Sequence, residues 1–518
     1  MFAGHGSAGP LVGYGLALLG LVAGLLVARG AGRGSLLAPI LAVPVAMGSA
    51  LIWSILLAAL PRLAPWLGPR LTIVGGAALT FAFGTLGGIF SNRERPGARV
   101  ERGTRVVDPP RPEIVRLGVA PAGILLAGQA VPALDEAKHF KIIGTTGTGK
   151  STAIRGLLRG ALGRGDRAVI ADPDGAYVQE FYNLGRGDVI LNPFDPRSAR
   201  WDLFGELRTN YDGDLLARAL IPDHGGDDRA WRAYARNFLG ACLRQLRRIG
   251  CRDVAELHRL ITTAPVEELR LLLESTAAGP YLSEDNARFF ASVRAIAAAQ
   301  LAPLEHLVEP GGSPLLSLRD WVRDGAGPQT RGIVFLPYRA SQIATLRSVV
   351  STWLRLAIFE TMELPEGDHR LWFVVDELDA LGPIDGLKDA LARLRKFGGR
   401  CALGFQSIAQ VSGSYGAADA QTIVENCSNT LILRCSAAEN GGTARFASRL
   451  IGEREVLREQ VSRVQAGIFD KPQRSRTVSL QRVTENAVLP AEIEQLPDLC
   501  GYLKFASGGD WLRVRVTR

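Results

Sequence analysis

The run Gly144-Thr145-Thr146-Gly147-Thr148-Gly149-Lys150-Ser151 constrains this chain more than any other stretch, because it fits the phosphate-binding pattern G-x-x-x-x-G-K-[ST]. It also sits where such a loop must sit. His139 to Ile143 before it reads as a short buried strand. Ile154, Leu157, Leu158, Ala161 and Leu162 after it fall on one helical face, and Gly163 and Gly165 close that helix. Glycines let backbone N–H groups approach phosphates without a clashing Cβ, and the helix N-terminus adds partial positive charge. A nucleotide is therefore expected along Gly144 to Ser151 and Thr152, with Lys150 reaching the β- and γ-phosphates and Ser151 ligating Mg²⁺. A chance glycine-rich turn, in a chain with 59 glycines, is the alternative, and it leaves the flanking strand and helix without a reason.

A nucleoside triphosphatase also needs an acidic group at the tip of a neighbouring strand. Leu371 to Val375 is a continuous apolar run, as expected of a parallel strand buried on both faces, and it ends in Asp376-Glu377. Asp376 suits the metal, and Glu377 suits the base that polarises the attacking water. Such a pair alone also reads as a surface cap; beside the phosphate loop it reads as a site. The strand Arg400 to Phe405 ends in Gln406, a neutral group that either senses the γ-phosphate or simply caps a strand.

The 518 residues allow several domains. A net charge of +9, carried mostly by arginine, fits contact with nucleic-acid phosphates, with anionic lipid, or nothing beyond charge near a membrane. The six cysteines show no C-x-x-C spacing and read as buried free thiols; with the six histidines scattered as well, no structural metal is expected.

Leu11 to Ala28, Leu36 to Leu60 and Leu71 to Phe90 are apolar runs without a charged residue, each near the ~20 residues that cross a bilayer. Arg93, Arg95, Arg99, Arg102 and Arg105 follow the last run and place the remainder in the cytoplasm, whether two or three spans precede them. A Pro- and Arg-rich linker (Val106 to Pro112) leads into the soluble part, whose strand and helix signals then alternate. The strands are Arg167–Ala171, Asp188–Leu191, Arg331–Leu336, the Asp376 and Gln406 strands, and Thr430–Arg434. From about Trp201 to Leu307 only helix signals occur. The expected class is α/β with an all-helical insert. In numbers, 1–92 is a membrane anchor, 93–112 a linker, 113–200 with 325–518 the nucleotide-binding domain, and 201–324 the insert. Arg244, Arg247, Arg248 and Arg252 cluster in the insert, as a DNA-contacting face or as an ordinary solvated one.

The order GTTGTGKS, RAVIADPDGAYV, DVILNPFDPRSARWDLF, helical insert, LWFVVDELDAL, LRKFGGRCALGFQS and VLPAEIEQLPDLCGYLKFA, behind membrane spans, resembles the type IV coupling proteins of conjugative plasmids, the TraD/TrwB group. That resemblance covers nearly the whole soluble part. It implies a RecA-like P-loop NTPase, hexameric, multi-pass in the bacterial inner membrane, whose DNA-dependent ATPase activity uses ATP and Mg²⁺. It also implies partners: single- and double-stranded DNA without strong sequence preference, the relaxase or relaxosome, and the type IV secretion channel. By the same resemblance Lys150, Ser151, Asp376, Glu377 and Gln406 serve nucleotide, metal, hydrolysis and sensing. Arg395 matches an arginine that acts on the neighbouring subunit's nucleotide; a solvated arginine in the Arg393/Arg395/Lys396 stretch is the alternative. The chain ends at Arg518 soon after LPDL, so recognition of partners through a long C-terminal tail is not expected. A DNA-pumping motor is the first expectation. An ATP-switched receptor for protein substrates is the second, and a chromosome-segregation translocase, which would need a further DNA-reading domain, the third.

Overall fold

The structure is a computed structural model that describes residues 99–109, 123–222, 228–307, 314–324, 332–438, 441–463 and 476–517. The three apolar runs within 1–92 lie outside these residues, and no helix among the described residues is long and apolar enough to cross a membrane. Two compact units result: residues 102–454 with 484–518, and a smaller one of 1–101 with 455–483, whose described residues are strand.

The large unit is organised by a ten-stranded sheet. In chain order its strands are β1 Val106–Val107, β2 Phe140–Ile143, β3 Arg167–Pro173, β4 Val189–Ile190, β5 Ile333–Tyr338, β6 Leu371–Val375, β7 Gly399–Phe405, β8 Asn429–Ile432, β9 Cys500–Lys504 and β10 Trp511–Arg515. They lie in the order β1-β10-β9-β8-β2-β7-β6-β3-β5-β4. The strands from β8 to β4 pair in parallel, and β9 and β10 add antiparallel at one edge. Strands β2, β6 and β7 are buried throughout, which is why they read as apolar runs rather than alternations.

Register brings distant residues to one level. Val375 at the tip of β6 stands opposite Leu403 of β7 and Ala171 of β3, and Phe405 stands opposite Ile143 of β2. Asp172, Asp376, Gln406 and Gly144 therefore emerge together at the carboxyl ends of four neighbouring strands, the end at which ligands of open α/β sheets bind.

Both faces of the sheet are covered. On one, helix α1 (Lys150–Gly163) seats Ile154, Leu157, Leu158 and Ala161 against Ile142, Ile170, Trp372 and Val374. On the other, Val169, Phe373 and Leu403 share a core with a long helix (Ala340–Thr361) and with the helical layer. Each fully buried leucine or isoleucine contributes about 1.5–3 kcal/mol relative to exposure. The helical layer comprises Asn210–Leu220, Arg229–Arg248, Val254–Thr262, Val266–Leu273 and Ala287–Leu301. Glu360 of the long helix is a buried carboxylate that accepts from Arg208, just ahead of Asn210–Leu220, and from Arg319, each at 2.6 Å, and from Arg323; Arg319, on a short helix (Leu318–Asp324), also donates to Asp212 of the layer.

Three of the four clustered arginines of the insert are engaged within the chain. Arg244 pairs with Asp214, Arg252 pairs with Asp202, and Arg247 donates to the carbonyls of Leu207 and Arg208. These contacts favour a bracing role over a free DNA-contacting face for those three. All six cysteines are unpaired, and Cys242, Cys401, Cys427 and Cys435 are buried.

Candidate active site

Strand β2 delivers Gly144 to the rim, and the chain then turns tightly before α1 begins. Gly147 (φ 78°) and Gly149 (φ 111°) hold the left-handed conformations that this turn demands and that a Cβ disfavours. Lys150 opens the helix almost fully buried. Its ammonium donates to the loop's own carbonyls, Gly144 O at 2.8 Å and Thr145 O at 3.3 Å. Burial holds its pKa below that of a free lysine, while Asp376, Glu377 and Asp379 pull it back up. Thr148 Oγ1 donates to Thr145 O at 2.7 Å and tightens the loop.

The Ser151 hydroxyl donates to Asp376 Oδ2 at 2.6 Å, and the Tyr177 hydroxyl donates to the same oxygen at 2.9 Å. Asp376 is 3% exposed, and its other oxygen, Oδ1, is buried without a hydrogen-bond partner. Tyr177 is held in place by Asp172, whose carboxylate accepts the backbone N–H groups of Tyr177 and Val178 at the start of a short helix (Ala176–Phe181). Burial still raises the Asp172 carboxyl to about 6 against those donors. The turn carrying Asp376 and Glu377 folds over Gly404 of β7: Leu378 N donates to Gly404 O at 2.9 Å, and a Cβ on Gly404 would overlap the Asp376 carbonyl oxygen.

A second chain of bonds crosses the cleft. Thr146 Oγ1 donates to Gln406 Oε1 at 2.9 Å, and Gln406 Nε2 donates to Glu377 Oε1 at 2.7 Å. Burial raises the Glu377 pKa; the Gln406 bond lowers it, and the charges of Asp376 and Asp379 raise it further.

These groups surround a cleft of about 390 Å³. Of the expected residues, Thr146, Gly147, Gly149, Lys150, Ser151 and Thr152 line it, facing Asp376, Glu377 and Gln406. Gly144, Thr145 and Thr148 turn away and shape the loop through backbone contacts. Arg395 is not brought to the cleft. It is exposed on the turn Leu394–Phe397 before β7, at the end of the strands opposite the cleft, where its charge helps burial lower the His139 pKa to about 4. Tyr177, Arg155, Asp498 and Leu499 line the cleft without having been singled out from the sequence, although Tyr177 belongs to RAVIADPDGAYV and the last two to LPDL.

The donor set fits Mg²⁺. Ser151 Oγ and the unpartnered Asp376 Oδ1 are hard oxygen donors, and Mg²⁺ takes one or two protein oxygens beside water and phosphate. Among the described residues there is no cluster of three or more His, Cys, Asp or Glu that would make an all-protein metal site.

Comparison with known proteins adds to this geometry. Residues 124–517 match the model of the type IV secretion-system coupling protein DNA-binding domain. The coupling protein TraD of Escherichia coli K12 is 32% identical over 374 residues, which is 71% of this chain and 51% of TraD, so the chain spans about half the length of that relative. The conjugative coupling protein TrwB, solved unbound without its first 70 residues, superposes with a TM-score of 0.69 at 32% identity, covering 82% of this chain and 95% of its own. TrwB solved with ADP and Mg²⁺ superposes equally well (TM-score 0.69, 32% identity), and TrwB with a non-hydrolysable ATP analogue at 0.68 and 31%, each covering 82% of this chain and 95% of its own. The fold is that of a RecA-like P-loop NTPase.

Proposed function

Because the chain belongs to the type IV secretion-system coupling proteins, we propose that it is an ATPase whose hydrolysis drives single-stranded DNA, delivered with a relaxase, into a type IV secretion channel. The observation that carries the enzymatic part is the Ser151 hydroxyl 2.6 Å from Asp376, beside an Asp376 oxygen with no partner. TrwB has been solved with ADP and Mg²⁺ and with an ATP analogue, which supports ATP as the occupant of the corresponding cleft here.

Lys150 would exchange the Gly144 and Thr145 carbonyls for β- and γ-phosphate oxygens, keeping its buried charge satisfied. Ser151 and Asp376 would hold Mg²⁺, whose contribution is to screen the phosphate charge. Glu377, kept more basic than an ordinary carboxylate by burial, would orient the attacking water and accept its proton. Gln406 bonds Glu377 on one side and Thr146 of the loop on the other, so a γ-phosphate that shifts the loop also shifts the base.

The Gln406 bond stabilises the ionised form of Glu377. Removing it in Gln406→Ala would raise the Glu377 pKa, so the acid limb of the pH profile of kcat/KM moves to higher pH. An acid limb that stays in place would detach Gln406 from the base.

The same reading includes a membrane anchor in 1–92 that leaves the remainder in the cytoplasm, a helical insert dividing the nucleotide-binding domain, and a homo-hexamer. In the hexamer Arg395, remote from its own cleft, would reach the neighbouring subunit's phosphates, a role worth orders of magnitude in related NTPases. Arg395→Ala is then expected to bind ATP normally and hydrolyse it poorly. Mixing it with Lys150→Ala protomers restores part of the activity, because some interfaces pair an intact loop with an intact Arg395. A mixture as inactive as its components, at concentrations where hexamers form, would leave Arg395 a solvated surface group.

The ATPase rate of the purified full chain, with and without single-stranded DNA over a range of protein concentration, tests the function. Strong DNA stimulation rising with concentration is expected of the motor. Stimulation by a relaxase alone would favour the ATP-switched receptor of protein substrates.

A further inference from the structure

The LPDL segment, Leu496 to Leu499, belongs to the motifs that carry the family resemblance, and nothing in the mechanism above uses it. It lies against the phosphate loop. Leu499 N–H donates to Thr148 O at 2.9 Å, and its isobutyl group covers Gly149 so closely that a Cβ there would stand 2.7 Å from Leu499 Cδ2. Leu499 holds φ 63°, a left-handed conformation that costs a branched residue free energy. Its carbonyl accepts Val516 N–H at 2.7 Å, fixing it to the chain just beyond β10. The other arm of the loop is held by Arg434, whose carbonyl accepts both the N–H (2.9 Å) and the hydroxyl (3.2 Å) of Thr145. The Arg434 guanidinium in turn pairs with Asp498 at 2.7 Å and donates to Leu496 O at 3.3 Å.

Resting on the assignment of the cleft to ATP, we propose that Arg434, Asp498 and Leu499 form a brace that clasps both arms of the phosphate loop and presets it for the triphosphate. They are positioning residues. Arg434 pins the start of the loop at Thr145, Leu499 pins its end at Thr148 and Gly149, and the Arg434–Asp498 ion pair joins the two. Without the brace the glycine-rich loop would sample conformations in which its N–H groups diverge, and ordering it would be charged against each binding event. A strained residue persists only where its surroundings over-determine it, and Leu499 is fixed by a hydrogen bond at each of its backbone groups.

The test uses the full chain, a fluorescent ATP analogue for the dissociation constant, and inorganic tripolyphosphate as competitor. Asp498→Ala is expected to raise the dissociation constant about threefold, the size of effect of a half-exposed ion pair. Arg434→Asp does the same, and the double exchange Arg434→Asp/Asp498→Arg restores affinity. Leu499→Gly weakens binding more than either, while the positive φ that glycine accepts offsets part of the packing lost with the isobutyl group. Tripolyphosphate affinity falls by the same factor as ATP affinity. Unchanged affinity in both Asp498→Ala and Leu499→Gly would overturn the brace. So would a loss confined to ATP, which would put these residues on the nucleoside instead of the loop. If the wild-type chain binds neither probe, the assignment of the cleft fails before that of the brace.

Discussion

Lys150→Ala is expected to lower ATP turnover by two to three decades while leaving the fold intact. The ammonium is the cation the loop itself directs at the phosphates, and electrostatic groups so placed contribute roughly 3–4 kcal/mol to barrier lowering. Structure sharpens the expectation. Lys150 already sits buried on two loop carbonyls, so its removal takes the ammonium from Gly144 O and leaves Thr145 O to Thr148 alone. Affinity for ATP is therefore expected to fall together with turnover. Steady-state hydrolysis and DNA transfer, measured beside a thermal melt, check this; near-normal hydrolysis would remove Lys150 from the site.

Glu377→Gln separates binding from chemistry. A glutamine there keeps the size and can still present a carbonyl oxygen to Gln406 Nε2, so the bond from the loop survives. It cannot take a proton. Turnover is expected to fall by about two to four decades, the usual weight of a general base, while Mg·ATP stays bound. Asp376→Ala is the control. It strips partners from the Ser151 and Tyr177 hydroxyls and removes the carboxylate assigned to the metal, so ATP affinity itself falls. Equal losses of affinity in the two variants, measured with a fluorescent nucleotide, would make Glu377 a metal or structural group.

The phosphate loop and the Asp376-Glu377 strand were legible because each is local. Glycine spacing, one apolar run and a helix start lie within a few residues of the groups they place. Gln406 was legible for the same reason, at the tip of its own strand. What the sequence hid are contacts between segments far apart in the chain. Tyr177 reaches Asp376, and Leu499 reaches Thr148, only through the register of the sheet and its antiparallel edge. That edge was not anticipated. Cys500–Lys504 and Trp511–Arg515 are short, part-exposed strands carrying charged residues, and they lack the continuous apolar signature of β2, β6 and β7. Strand ends shifted as well. The run expected from Arg331 begins at Ile333 and continues through Pro337 to Tyr338, since β5 has a partner on each side. In the insert, arginine clustering indicated charge but not its partners, because Asp202 and Asp214 lie 50 and 30 residues away from the arginines they meet.

Gly404 supplies no reacting atom, yet the Asp376-Glu377 turn rests on the space its missing side chain leaves. Position 404 consequently takes no side chain without a shift of that turn. Gly404→Ala adds a single methyl group, keeps every group assigned to the nucleotide, and must still lift the strand tip that carries both carboxylates. On the proposed function, such a variant would lose ATP turnover as a lesion of Asp376 or Glu377 does, although the altered residue has no chemistry of its own to lose.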